Sequence, residues 1–71
     1  MRVYVLEQGW RYEGNDVVGV SASLEGAKAD AQALEGEGAE PLDWSACGTG
    51  VRASSGRWSH QWTITPFEVG R

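Results

Sequence analysis

No stretch of this sequence approaches the roughly 20 consecutive apolar residues needed to cross a bilayer as a helix. The opening residues MRVYVLEQGW carry one arginine and a short apolar segment without a cleavage-site pattern, too little for a secretory signal. The expected location is therefore the cytoplasm. Cysteine is almost missing: Cys47 stands alone, so no disulfide can form within the chain, which suits a reducing compartment. Basic residues are few. Arg2, Arg11, Lys28, Arg52, Arg57 and Arg71 are scattered against ten acidic residues, for a net charge of −4. Nucleic-acid binding draws much of its affinity from lysine and arginine neutralising phosphates, so direct binding of DNA or RNA is not expected, nor adhesion to an anionic membrane. Repeats, linkers and low-complexity tracts are also missing. With only 71 residues, there is material for one small domain, residues 1–71, and not for a cleft between domains, a doubly wound sheet or a closed α/β barrel.

What is present reads as a folded domain. The hydrophobic fraction of 41% against 23% charged residues is that of a globular chain rather than a disordered one. Residues 2–6, Arg-Val-Tyr-Val-Leu, combine β-branched and aromatic types and predict a strand. Val3 and Val5 fall on one face, Tyr4 and Leu6 on the other, so both faces are apolar and the strand is expected to be central. Trp10 to Tyr12 continue it past Gly9. Glu13-Gly14-Asn15-Asp16 is a turn in which Gly14 and Asn15 can take positive φ, and Asp16–Val20 is the return strand. Ser23 then caps a helix near residues 23–35, with Leu24, Ala27, Ala31 and Leu34 as its apolar stripe. Gly36 and Gly38 end it.

The second half predicts another hairpin. Trp44 to Ala53 is its first arm, Ser54-Ser55-Gly56-Arg57 its turn, and Trp58 to Thr65 its second arm. In that last arm Trp58, His60, Trp62 and Ile64 alternate with Ser59, Gln61, Thr63 and Thr65, the pattern of a strand with one buried and one wet face. Pro66 confines further pairing to an edge. The expected fold class is α+β: a ββαββ order, an antiparallel sheet with one helix packed on one face.

Val3-Tyr4-Val5-Leu6-Glu7 with Gly9, Tyr12-Glu13-Gly14, Val18-Gly19-Val20 and Ser23-Leu24-Glu25-x-Ala27-Lys28 resemble a family of small uncharacterised proteins of actinobacteria and their bacteriophages. The resemblance lies mainly over residues 3–28. It implies a domain of unknown function and brings no catalytic or binding residue with it. It also implies a phage-encoded accessory protein acting on a host protein in the host cytoplasm. Five arginines to one lysine, with eight alanines, ten glycines and seven valines to one isoleucine, suggest a GC-rich coding sequence, in keeping with such a source.

Four features invite a chemical reading. Gly48-Thr49-Gly50-Val51-Arg52-Ala53 fits the letter of a dinucleotide fingerprint, but that chemistry needs a helix N-terminus after the glycines, and here a turn and a strand follow. Cys47 and His60 are too few for a four-ligand zinc site, and nothing in their spacing makes them a nucleophile–base pair; no cofactor or metal is expected. Glu35, Glu37, Glu40 and Asp43 form an acidic patch that either is a solvated loop or attracts a basic partner. Trp10, Trp44, Trp58 and Trp62 are numerous for the size of the chain. They serve a core or, with Tyr4 and Leu6, an interface, because one helix cannot cover both faces of the sheet. The expected function is a non-enzymatic protein-interaction module, self-associating as a homodimer with Tyr4, Leu6 or a tryptophan near its axis. An acidic decoy occupying a nucleic-acid-binding protein is the alternative, and a small enzyme a more remote one.

Overall fold

The β-branched and aromatic opening segment forms strand β1 (Arg2–Trp10) in the computed structural model, which describes residues 1–10, 14–55 and 60–70. Strand β2 (Gly14–Ser21) returns antiparallel, with Gly14 opposite Trp10 and Ser21 opposite Tyr4. Gly14 takes a φ of 80°. Asn15 does not take a positive φ; it stands opposite Gly9 and donates from its side-chain amide to the Glu7 carboxylate at 3.2 Å. Arg11 and Tyr12, expected to continue β1, and Glu13 of the expected turn lie outside the described residues. The register slips between Leu6 and Glu7, leaving Val18 as the extra residue of a bulge, which sharpens the twist of β2.

The helix forms where the cap and the small residues place it. The Ser23 hydroxyl accepts from the Gly26 N–H at 3.0 Å and starts α1 (Leu24–Glu35); the Gly36 N–H closes it on the Ala33 carbonyl. Ala27 and Ala31 are wholly buried, and their short side chains let the helix lie close to the sheet. The stripe ends differently from expectation. Leu34 is exposed and Glu35 is buried, because the spacing 24, 27, 31 continues to 35 as readily as to 34 on a 3.6-residue turn.

The following loop is held to the helix by one side chain. Gln32 donates to the Glu40 carbonyl and accepts from the Leu42 N–H, at 3.1 and 2.8 Å. Leu42 and Trp44 are thereby laid against the core. The expected arm from Trp44 to Ala53 then divides into two strands, β3 (Ser45–Cys47) and β4 (Gly50–Ser54). Gly48 and Thr49 turn between them, with Gly48 at a φ of 60°. A positive φ at the first central position matches the twist of a tight hairpin. The Gly-Thr-Gly segment is therefore a hairpin turn with no helix behind it.

Strand β5 (His60–Glu68) sits in the middle of the sheet, in the order β2-β1-β5-β4-β3, and every pairing is antiparallel. Thus the described residues form five strands and one helix, the expected α+β architecture with the second half subdivided. Trp58 and Ser59, expected at the start of this strand, lie outside the described residues. Past Ile64, β5 pairs with β1 alone. Pro66, opposite Tyr4, stands where one side of the strand has no partner among the described strands. The core is Leu6, Trp62 and Ile64 from the sheet against Ala27 and Ala31, flanked by Tyr4, Leu24, Leu42, Trp44 and Val51. Among the described residues no helix is long and apolar enough to cross a membrane.

Gly50 marks a close approach of β4 to β5: a Cβ there would collide with the backbone carbonyl of Ile64. Gly50→Ala should therefore cost about 1–3 kcal/mol, the range for an overpacked site. Gly70→Ala, which meets open space, should be neutral. Thermal unfolding followed by circular dichroism measures both.

Candidate functional site

The helix delivers a carboxylate into the interior. Glu35, the last residue of α1, is 4% exposed and directs both oxygens at the sheet. Oε2 accepts from the Trp62 indole N–H at 2.7 Å and lies 2.9 Å from His60 Nε2; Oε1 accepts from the Ser55 hydroxyl at 2.9 Å. His60 and Trp62 reach it together because alternate residues of β5 share the helix-covered face. The backbone closes the end of this cluster, the Ser55 N–H donating to the His60 carbonyl at 3.1 Å. Trp10, directly opposite His60 on β1, stacks tilted on the imidazole at 4.9 Å, and Trp62 meets it edge-on at the same distance.

Burial alone would push the Glu35 carboxyl up. The hydrogen bonds from Trp62, Ser55 and His60, together with electrostatic attraction to His60, outweigh that cost and hold it below its ordinary value of 4.5. The imidazole is equally enclosed, and its Nδ1 is buried with no hydrogen-bond partner among the described residues. An acid–base pair of this kind suggests proton transfer, but general catalysis requires a substrate atom within hydrogen-bond reach. Here both side chains are almost completely buried, 2% exposed for Glu35 and 3% for His60, and the carboxylate oxygens are already engaged. The cluster is a clamp between helix and sheet.

Several expected site residues are thereby reassigned. Glu35 does not belong to the acidic patch, since hydrogen-bond donors on the sheet draw it inward; Glu37, Glu40 and Asp43 remain exposed. Leu6 and Trp62, expected as candidate interface residues, are buried within the chain at 1% exposure each. Tyr4 and Trp44 are half-buried against the same core. Trp10 is 40% exposed, and Trp58 lies outside the described residues. Cys47 pairs with Gly50 on β3, two strands from β5 and about five residue steps from His60 along the sheet, roughly 16 Å. The two cannot act on one another. Among the described residues no three His, Cys, Asp or Glu side chains converge as a metal site would require.

The apolar surface left open is on the opposite face. The helix covers the side carrying Tyr4, Leu6, Trp62 and Ile64, so Val3 and Val5 turn outward with their cross-strand neighbours. Val20 stands opposite Val5, Val17 opposite Glu7, Thr65 opposite Val5 and Phe67 opposite Val3. Val17 and Val20 are 62% and 61% exposed and Phe67 is 50%. Glu7, Thr63 and Arg52 form a polar row across the same face. No signal within β1 tells which of its two apolar faces the helix takes. A depression of about 400 Å³ is lined by Asp43, Ser45, Ala46, Cys47, Arg52, Ala53 and Ser54, and no group of three metal-ligating side chains lies there among the described residues. Comparison with known protein families, with curated proteins and with solved structures gives no match.

The depressed Glu35 carboxyl has a signed consequence. A group whose pKa is lower folded than unfolded stabilises the fold above its unfolded value and loses that contribution as pH falls through its folded value. Stability should therefore decline in acid below about pH 4.5, and Glu35→Gln should flatten that decline. Glu35→Ala, which strands buried donors, should cost about 3–5 kcal/mol. Urea unfolding between pH 3 and pH 7, in roughly unit steps of the titration range, measures all three effects.

Proposed function

We propose that this protein is a non-enzymatic protein-interaction module that self-associates through the open face of its sheet. The observation that carries this reading is the one-sided coverage of the five-stranded sheet. A single helix and the loop after it cover the Leu6–Trp62–Ile64 face, while Val17, Val20 and Phe67 remain largely exposed on the other. Apolar groups gathered on one surface favour association, because joining two such surfaces removes both from water. The small size of the domain adds to this, since a chain with little core gains stability by oligomerising.

The sealed environment of Glu35 and His60 favours binding over catalysis, since the acid–base pair among the described residues is engaged in holding the helix. The working residues of this reading are aliphatic and lie on the first hairpin and the end of β5. The aromatic residues that stood out in the sequence belong, where they are described, mainly to the covered side. Of these Trp10 alone has substantial exposure, at the end of β1 opposite His60.

Sedimentation equilibrium over a hundredfold concentration range should show a reversible monomer–dimer equilibrium. Val20→Lys and Phe67→Lys, at positions already open to water, should leave the thermal unfolding midpoint nearly unchanged. Each should weaken dimerisation by about tenfold or more, as burying an unpaired ammonium in an interface is costly. A monomer at every concentration, or dimerisation unaffected by both substitutions, would refute the proposal.

A further inference from the structure

Two charges on the open face have no ionic partner among the described residues. Arg52 is exposed, and Glu7 accepts a neutral amide hydrogen bond from Asn15. Among the described residues, neither belongs to an ion pair. Their placement is regular. Glu7 is opposite Thr63 on one side and Arg52 is opposite Thr63 on the other. The acid and the base therefore occupy mirror positions about β5, the middle strand, each one strand spacing of about 4.8 Å from it.

A two-fold axis has a definite effect on such a row. When two sheets face one another about an axis running along β5, positions along the strand are kept while left and right exchange. β1 then lies over the partner's β4, and β2 over the partner's β3. Glu7 meets the partner's Arg52, and Arg52 meets the partner's Glu7, so one symmetric contact forms two ion pairs. Thr63, Thr65 and Phe67 fall along the axis, where each meets its own copy, and Val5 lies over the partner's Gly50, where there is no side chain to obstruct it. Aligned packing of two sheets with their strands within about 30° is a common sandwich geometry.

Two other in-plane axes match these charges less well. An axis along β1 stacks Glu7 on the partner's Glu7. An axis across the strands through Val5 and Thr65 sets Glu7 on the partner's Val3, leaving a carboxylate in an apolar contact. Both carry an electrostatic penalty that the β5 axis turns into attraction. The area is adequate for a reversible contact: five strands at about 4.8 Å, the longest about 30 Å, present a face on the order of 600 Å². That is somewhat below the ~800 Å² per partner of a standard interface.

Resting on the self-association reading above, we infer that the partner on the open face is a second copy of this chain, docked sheet to sheet about an axis along β5 with reciprocal Glu7–Arg52 ion pairs. The test is charge exchange between copies. Glu7→Arg places arginine against arginine, and Arg52→Glu places glutamate against glutamate, so each variant alone should dimerise about tenfold or more weakly than the parent protein. Mixed in equal amounts, the two variants restore both pairings, and a heterodimer should form with nearly the parent affinity. Both variants keep a net negative charge, so overall attraction between the chains does not account for that recovery. Native mass spectrometry and sedimentation of each variant alone and of the mixture give the result, with circular dichroism verifying the fold. A parent dimer with no effect of the single substitutions, or no recovery in the mixture, would overturn the β5 axis while leaving sheet-face association standing. A parent protein that stays monomeric would overturn both.

Discussion

The Glu35 carboxylate is the interaction on which the arrangement of this domain depends. It lies at the last residue of the only helix among the described residues and ties that helix to Ser55, His60 and Trp62. A carboxylate taken out of water is costly unless its oxygens are engaged, and here Trp62 and His60 on β5 and Ser55 just past β4 engage both. The same bonds satisfy the buried indole N–H of Trp62 and fix the helix relative to β5. Apolar contact between Ala27, Ala31, Leu6 and Ile64 supplies area without direction; the carboxylate supplies direction.

This anchor determines which side of the sheet is covered. With Glu35 drawn to His60 and Trp62, the helix lies over the face those residues share, and the loop held by Gln32 adds Leu42 and Trp44 to it. The opposite face has no corresponding element among the described residues. One helix of twelve residues covers only one face of the five-stranded sheet, so among the described residues the other face retains an apolar surface. The open face is thus a consequence of the economy of the fold, and the proposed self-association follows from it.

The charge distribution changes meaning in the same way. Glu35, Glu37, Glu40 and Asp43 suggested an acidic surface patch, yet Glu35 is internal, while Glu7 stands on the open face in a polar row with Thr63 and Arg52, flanked by Val5 and Val17. Exposed pairs such as Arg2 with Glu68, at 2.7 Å near the chain ends, contribute little because water and salt screen them. Glu7 and Arg52 differ in that a contact across the open face would bring them together and partly exclude water. Their worth is in fixing the register of such a contact rather than in its strength.

Much of the architecture was legible from local pattern. Alternation in Val3–Leu6 and His60–Ile64, the Ser23 cap and the Ala-rich stripe act over a few residues, and they determined two hairpin regions and one helix. The division of Trp44–Ala53 into β3 and β4 was also written locally, in Gly48 and Gly50, though those glycines equally suit a bulge. The location of Glu35 was not legible, since its burial depends on donors at Ser55, His60 and Trp62, at least 20 positions away. Nor could the sequence assign interior and exterior to a strand apolar on both sides. Leu6 and Trp62 looked as suited to an interface as to a core until the pairing of β1 with β5 set them under the helix and turned Val3 and Val5 outward. By itself the sequence determined the elements and their order, through short-range sterics and periodicity. Tertiary structure decided which face is buried and which charge is internal, because only the packed helix brings hydrogen-bond donors to one carboxylate and removes one side of the sheet from water.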